Sequence, residues 1–146
     1  MLREEVEIAA PAGQVWDFVT DWPRQATWVP LTRVRVARGG GHELGAGLAA
    51  WTGVGPLGFL DPMTITHWEP PRRMEMLHTG RLVRGEAGFT LTPLGPDRCR
   101  IAWWERLVVP GGPVGALAWR LAGPVASLSL RRVLGRLRRA VEQQPT

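Results

Sequence analysis

Few side chains of this 146-residue chain could move a proton near neutral pH. There are three histidines (His42, His67 and His78), one cysteine (Cys99) and 13 carboxylates, with no tyrosine and no lysine. Alternation along Cys99 to Val108 puts Cys99, Ile101, Trp103, Glu105 and Leu107 on one face of a strand. The apolar majority marks that face as inward, so Glu105 is expected inside. Met74, Met76 and His78 share a face in the same way, as do Met63, Ile65 and His67 if no bulge intervenes. The two segments are joined across Pro70-Pro71, so their register would bring His67 and His78 diagonally close on the inner surface. A carboxylate and two imidazoles in apolar surroundings suit proton transfer, because burial raises the pKa of a carboxyl, lowers that of an imidazole and brings both toward neutrality. Glu105, His78 and His67 are therefore the catalytic candidates. One would remove a proton α to a carbonyl, and another would give a proton to the oxyanion or leaving hydroxyl. The plainer alternative pairs Glu105 with an arginine at a cavity rim and leaves each histidine hydrogen-bonded to a backbone carbonyl.

Other chemistries find less support. The three histidines come from separate segments without a short ligand spacing, so neither a metal nor another cofactor is expected. Cys99 has no evident activating base and reads as a small core residue; being the only cysteine, it excludes an intrachain disulfide and favours a reducing, cytoplasmic setting. Gly39 to Gly41 is a hairpin turn and lacks the strand-to-helix context of a phosphate loop. The eight tryptophans divide by position. Trp16, Trp68 and Trp103 read as core, while Trp28 closes a short helix and Trp51 precedes a flexible hairpin over 53–58, which together could form a cavity mouth. With Met63, Ile65, Met74, Met76, Phe89, Trp103, Leu117 and Leu121, these two would line a site for a flat or flexible apolar molecule.

The elements that must position these residues are legible from periodicity. Residues 2–9 alternate as a half-buried strand and stop at Pro11-Ala12-Gly13. A short helix follows over 14–21, and a second over 24–28 before Pro30. Strand signals then recur over 31–38, 43–51, 63–68, 73–79, 82–91 and 99–108, separated by tight turns, and predict a consecutive antiparallel meander of seven strands in all. After Pro110-Gly111-Gly112-Pro113 a helical pattern runs to about Glu142, with Leu117, Leu121, Val125, Leu128, Leu130, Leu134, Leu137 and Val141 as its apolar stripe and Arg132, Arg136 and Arg139 on another face. Pro124 lacks the amide that would bond to Arg120, which predicts a kink or break there. The sum is an α+β arrangement in one domain spanning 1–146. A single helix, about 10 Å across, cannot fill the concavity of a seven-stranded sheet, so a cavity is expected beneath it.

Charge adds an exclusion. All 18 basic residues are arginine; 12 of them, with 12 carboxylates, precede Arg120, and six more face only Glu142 beyond it. The net charge of +5 thus belongs to the C-terminal segment. That is not the spread, aromatic-interleaved surface of a nucleic-acid binder, so no nucleic-acid partner is expected. The longest uncharged stretch, 44–60, is broken by glycines, so no integral membrane association is expected either.

In order along the chain, Val15-Trp16-Asp17-Phe18-Val19-Thr20-Asp21-Trp22 with Trp28-Val29-Pro30, then Ile65 with Trp68-Glu69-Pro70-Pro71-Arg72-Arg73, then Gly85 to Pro93, then Arg100-Ile101-Ala102-Trp103 resemble the START-like (SRPBCC) superfamily in its polyketide cyclase/dehydrase-type members. The resemblance implies a helix-grip fold with the long helix over a curved sheet and a ligand cavity beneath it. It also implies a small hydrophobic, polyketide-, lipid- or isoprenoid-like ligand. An aromatase/cyclase or dehydratase would use the candidate acid and base for aldol cyclisation with dehydration. A non-catalytic lipid carrier, or an interaction module using the Arg-rich helix, is the alternative, with the chain a monomer or homodimer. Such cyclases commonly place tyrosine and arginine around the pocket. Here there is no tyrosine, and Arg33 and Arg35 alternate with Val34 and Val36 so as to face water.

Overall fold

In the computed structural model, which describes residues 1–108 and 111–144, seven strands form one curved antiparallel sheet. The strands are β1 (Leu2–Ile8), β2 (Thr32–Arg38), β3 (Gly47–Val54), β4 (Leu57–Glu69), β5 (Arg73–Thr79), β6 (Arg84–Gly95) and β7 (Arg98–Leu107). Helix α1 (Ala12–Val19) and a 3-10 turn (Trp22–Thr27) follow β1, and α2 (Gly112–Glu142) ends the chain. Pro110, part of the expected break before α2, lies outside the described residues.

The sheet order β1-β7-β6-β5-β4-β3-β2 is the expected meander, with the N-terminal strand added beside the last. Leu2 pairs with Glu105 and Ile8 with Cys99. The starts of β1, β2, β4 and β6 and the ends of β3, β5 and β7 therefore share one end of the sheet, called the upper end below. The expected β3 start at Glu43 and β4 start at Met63 both shift. Glu43 instead turns back to accept the Gly40 amide, in a loop where Gly39, Gly41 and Gly45 take positive φ. The 53–58 segment, expected to be a loose hairpin, is drawn into β3 and β4. Gly53 faces Gly58 so closely that a Cβ on Gly53 would lie 2.2 Å from the Leu57 carbonyl oxygen, a contact only glycine allows.

The lower half is solid. Helix α1 buries Val15, Trp16, Phe18 and Val19 on the sheet, and Thr20 Oγ donates to the Trp16 carbonyl at 2.8 Å to close its last turn. Trp16 meets Trp68 edge-on at 5.1 Å and Phe89 at 5.5 Å; Phe89 stacks on Trp103 at 5.5 Å, and Trp103 meets Trp28 at 6.2 Å. Each such pair contributes about 0.5–1.5 kcal/mol beyond the apolar area it buries. Leu134, Leu137 and Val141 bring the C-terminal half of α2 into the same core.

The helix is continuous through Pro124, where the sequence predicts a kink or a break. Arg120 and Pro124 are both exposed, so the carbonyl that Pro124 leaves without a donor faces water. The expected apolar stripe proves to be two stripes. Leu121 and Leu130 are nine residues apart and hence about half a turn out of phase at ~100° per residue. Trp119, Ala126, Leu130 and Val133 turn inward, while Val114, Leu117, Leu121, Val125 and Leu128 lie on the opposite face and are exposed. Among the described residues, no helix is long and apolar enough to cross a membrane.

Candidate functional site

Between the upper half of the sheet, the 3-10 turn and the middle of α2 lies a cavity of about 410 Å³. Strand alternation builds its floor. Asp61 and Met63 come from β4, Met76 and His78 from β5, Ala87 from β6, and Trp103, Glu105 and Leu107 from β7. Leu48, Ala50 and Thr52 of β3 close one side, Trp28 and Val29 the front, and Trp119, Leu130 and Val133 of α2 the roof. Apart from Gln25, Thr32, Thr52 and Ser129, its polar side chains are the three titratable groups Asp61, His78 and Glu105.

Of the ten expected ligand-lining residues, Trp28, Met63, Met76 and Trp103 face this space. Ile65, Met74 and Phe89 are buried one layer lower, in the solid core. Trp51 pairs with Arg33 and Leu60 on the outer face of the sheet, because Ala50 takes the inward phase of β3. Leu117 and Leu121 are 59% and 75% exposed on the outward stripe of α2 and do not line the cavity.

His67 also departs from expectation. A register shift between Ile65 and His67 reverses the phase of β4, so that His67 pairs with Glu75 on the outer face and its ring meets the Glu69 carboxylate at 3.1 Å. Trp68 thereby turns inward against Trp16. His42 stacks on Trp22 and donates from Nε2 to the Thr20 carbonyl at 2.8 Å, away from the cavity. Cys99 is buried in the lower core, and burial pushes its thiol pKa up. Among the described residues, no three His, Cys, Asp or Glu side chains are grouped to hold a metal ion.

What sequence reasoning missed is Asp61. Nδ1 of His78 lies 2.8 Å from Oδ1 of Asp61, and the two side chains are only 9% and 13% exposed. Asp61 was hidden because β4 was expected to begin at Met63. Continuing the alternation of Met63 and Ile65 backward by two residues would have found it.

Glu105 stands across β6 from this pair. It lies opposite Ala87, and His78 lies opposite Gly85. Two strand spacings and two residues of rise separate their Cα atoms by about 12 Å. On β6 the residues opposite them are a glycine and an alanine. Burial raises the Glu105 carboxyl above the ordinary carboxylate range; the nearby His78 charge and the Trp103 indole work against that rise, and Asp61 adds to it. The indole N–H groups of Trp28 and Trp103 are buried without an acceptor of good geometry.

A curved antiparallel sheet gripping one long helix is the START-like helix-grip arrangement. Residues 2–142 match the model of the polyketide cyclase/dehydrase and lipid transport family, and the chain belongs to that family. Among solved structures it is similar to the Zhui aromatase/cyclase from Streptomyces sp. R1128, with 17% identity over 97% of this chain and 93% of that one and a TM-score of 0.77. A START superfamily protein from Mycobacterium smegmatis is 20% identical over 97% of both chains, with a TM-score of 0.71. The di-domain ARO/CYC BexL from the BE-7585A biosynthetic pathway is 18% identical over 96% of this chain and 45% of that one, with a TM-score of 0.70. At these identities the likeness is one of fold. No curated protein matches the chain in sequence.

Proposed function

We propose that the upper cavity binds a small hydrophobic molecule carrying carbonyl or hydroxyl oxygens, of the polyketide class, and that Glu105 and His78 transfer protons to and from it. The observation that carries this reading is a carboxyl and an imidazole on opposite sides of Ala87 in one lining, within walls that are otherwise mainly apolar. The volume of about 410 Å³ suits a molecule of two or three fused rings. Apolar walls supply affinity by area, and the oxygens of the ligand would meet the few polar groups. Burial raises the Glu105 carboxyl, which moves it toward the role of a donor. Aldol cyclisation with loss of water needs such a donor, together with a base to take the α proton.

A second reading, a carrier that performs no chemistry, is favoured by the predominance of tryptophan, methionine and aliphatic side chains in the lining. The two readings share the binding step and differ in turnover. Titration with N-phenyl-1-naphthylamine, a neutral fluorescent apolar probe, tests the shared step. One saturable site with blue-shifted emission is expected, and native mass spectrometry of freshly purified protein is expected to show a co-purified apolar molecule displaced by the probe. Absence of saturable binding would overturn both readings.

A further inference from the structure

We propose that Asp61 is a positioning residue that fixes the ring of His78 with Nδ1–H toward itself, leaving Nε2 as the proton acceptor for the ligand and Glu105 as the opposing donor. This rests on the reading of the cavity as a ligand site and assigns direction within it. The argument begins with the hydrogen-bonding inventory. A carboxylate only accepts, so the 2.8 Å contact between Asp61 Oδ1 and His78 Nδ1 requires the hydrogen to be on Nδ1. In the neutral ring Nε2 then carries the lone pair. Among the described residues Nε2 has no hydrogen-bond partner, and His78 lines the cavity, so this lone pair is available to a guest.

The pair is held firmly. Asp61 and His78 come from neighbouring strands whose register, Met63 opposite His78, is continuous from Met63 to Ile65 and is disturbed only beyond it. The nearly buried Asp61 carboxylate also stays beside the ring as its counter-charge when Nε2 accepts a proton. Glu105 has no such ionic partner: no ion pair holds it among the described residues, and the Trp103 indole beside it is uncharged. The two ends of the cavity floor are therefore unlike, one an imidazole paired with a carboxylate and one a carboxyl without an ionic partner, and separated acid and base roles follow from that asymmetry.

For a β-hydroxy ketone in the cavity, the step balances as an elimination. Nε2 of His78 takes the proton α to the carbonyl; the released electron pair forms the new carbon–carbon double bond; the carbon–oxygen bond breaks, and the departing oxygen takes the Glu105 proton and leaves as water. The enzyme is left with imidazolium and carboxylate. Proton exchange with solvent restores both. Asp61 exchanges no proton and acts through the ring it holds.

The experiment uses 5-nitrobenzisoxazole, a flat, uncharged carbon acid whose isoxazole C–H is removed by a base as its N–O bond breaks, giving a coloured cyanonitrophenolate. Wild-type protein is expected to accelerate this elimination with saturation, and His78→Ala to abolish the acceleration. Asp61→Asn, which keeps the shape but allows the side-chain amide to donate to Nδ1, is expected to lower kcat by tenfold or more, on the order of a general-base contribution, with KM within about twofold. A merely structural role for Asp61 would not set the tautomer, so ¹⁵N NMR of the wild-type imidazoles supplies an independent readout. Neutral His78 is expected with its hydrogen on Nδ1, and in Asp61→Asn with its hydrogen on Nε2. If 5-nitrobenzisoxazole displaces N-phenyl-1-naphthylamine yet Asp61→Asn turns over like wild type, or if wild-type His78 carries its hydrogen on Nε2, the assignment of Asp61 fails while the cavity reading stands. If the naphthylamine does not bind at all, the cavity reading fails and takes the assignment with it.

Discussion

The lower and upper halves of this molecule share one sheet and one helix, yet they solve different problems. Below, α1 and the C-terminal half of α2 press Trp16, Phe18, Leu134, Leu137 and Val141 onto the sheet, leaving these side chains buried. Above, the same helix supplies one inward row, Trp119, Ala126, Leu130 and Val133, and turns its other apolar row to the outside. One row of side chains cannot fill the curve of a seven-stranded sheet, so a hollow remains. Trp16, Phe89, Trp103 and Trp28 form an aromatic chain at the boundary between the two halves. The contrast separates stability from function: the lower half holds the fold, and the upper half carries titratable groups that a solid core would not tolerate.

Two carboxylates show the contrast electrostatically. Glu4 on β1 accepts from Ser127 and Arg131 and latches α2 to the sheet; these bonds hold its carboxyl below the ordinary range. Glu105 in the cavity is shifted the other way by burial.

Leu137→Ala, which opens a void in the lower core, is expected to cost about 2–5 kcal/mol and to show as a large fall in Tm. A loss below about 1 kcal/mol would mean that the lower half is not the solid part. Glu105→Gln should act in the opposite sense. Below the usual carboxylate range both folded and unfolded wild type are protonated at this site and the variant gains nothing. As pH rises, the unfolded chain ionises before the folded one, wild-type stability falls, and the difference in Tm in favour of Glu105→Gln widens up to the raised folded value. Thermal melts at a series of pH values check this, and a pH-independent difference would contradict it. Glu4→Gln reverses the sign again. It is expected to destabilise at neutral pH by less than about 1 kcal/mol, since the Arg131 partner is exposed, and the loss should fade as acid protonates wild-type Glu4 below its unfolded value. Smallest of all, Leu121→Ala on the outward stripe should change stability by no more than about 0.5 kcal/mol in a denaturant titration.

Much of the architecture was legible because each strand carries a clean two-residue alternation and each turn its glycine or proline. The inward phase of Glu105 and His78 followed from that alternation alone. His67 was misplaced because a bulge adds one residue and reverses every side chain beyond it, and the sequence around Thr66 carries no glycine or proline to mark it. Asp61 was overlooked because the glycines of 53–58 read as a loop, although they serve to let two strands approach. Leu117 and Leu121 were joined to the wrong stripe by counting apolar residues without following the helical phase, which a projection at ~100° per residue would have separated.

Filling the hollow tests the central claim most directly. Ala87 is buried on the cavity floor between His78 and Glu105, and Ala87→Phe would occupy that space. Titrating wild type and Ala87→Phe with N-phenyl-1-naphthylamine, with circular dichroism to establish that the variant is folded, should give one site in wild type and binding at least about tenfold weaker, a loss of ~1.4 kcal/mol or more, in the variant. Equal binding by the two proteins would place the probe elsewhere and contradict the account.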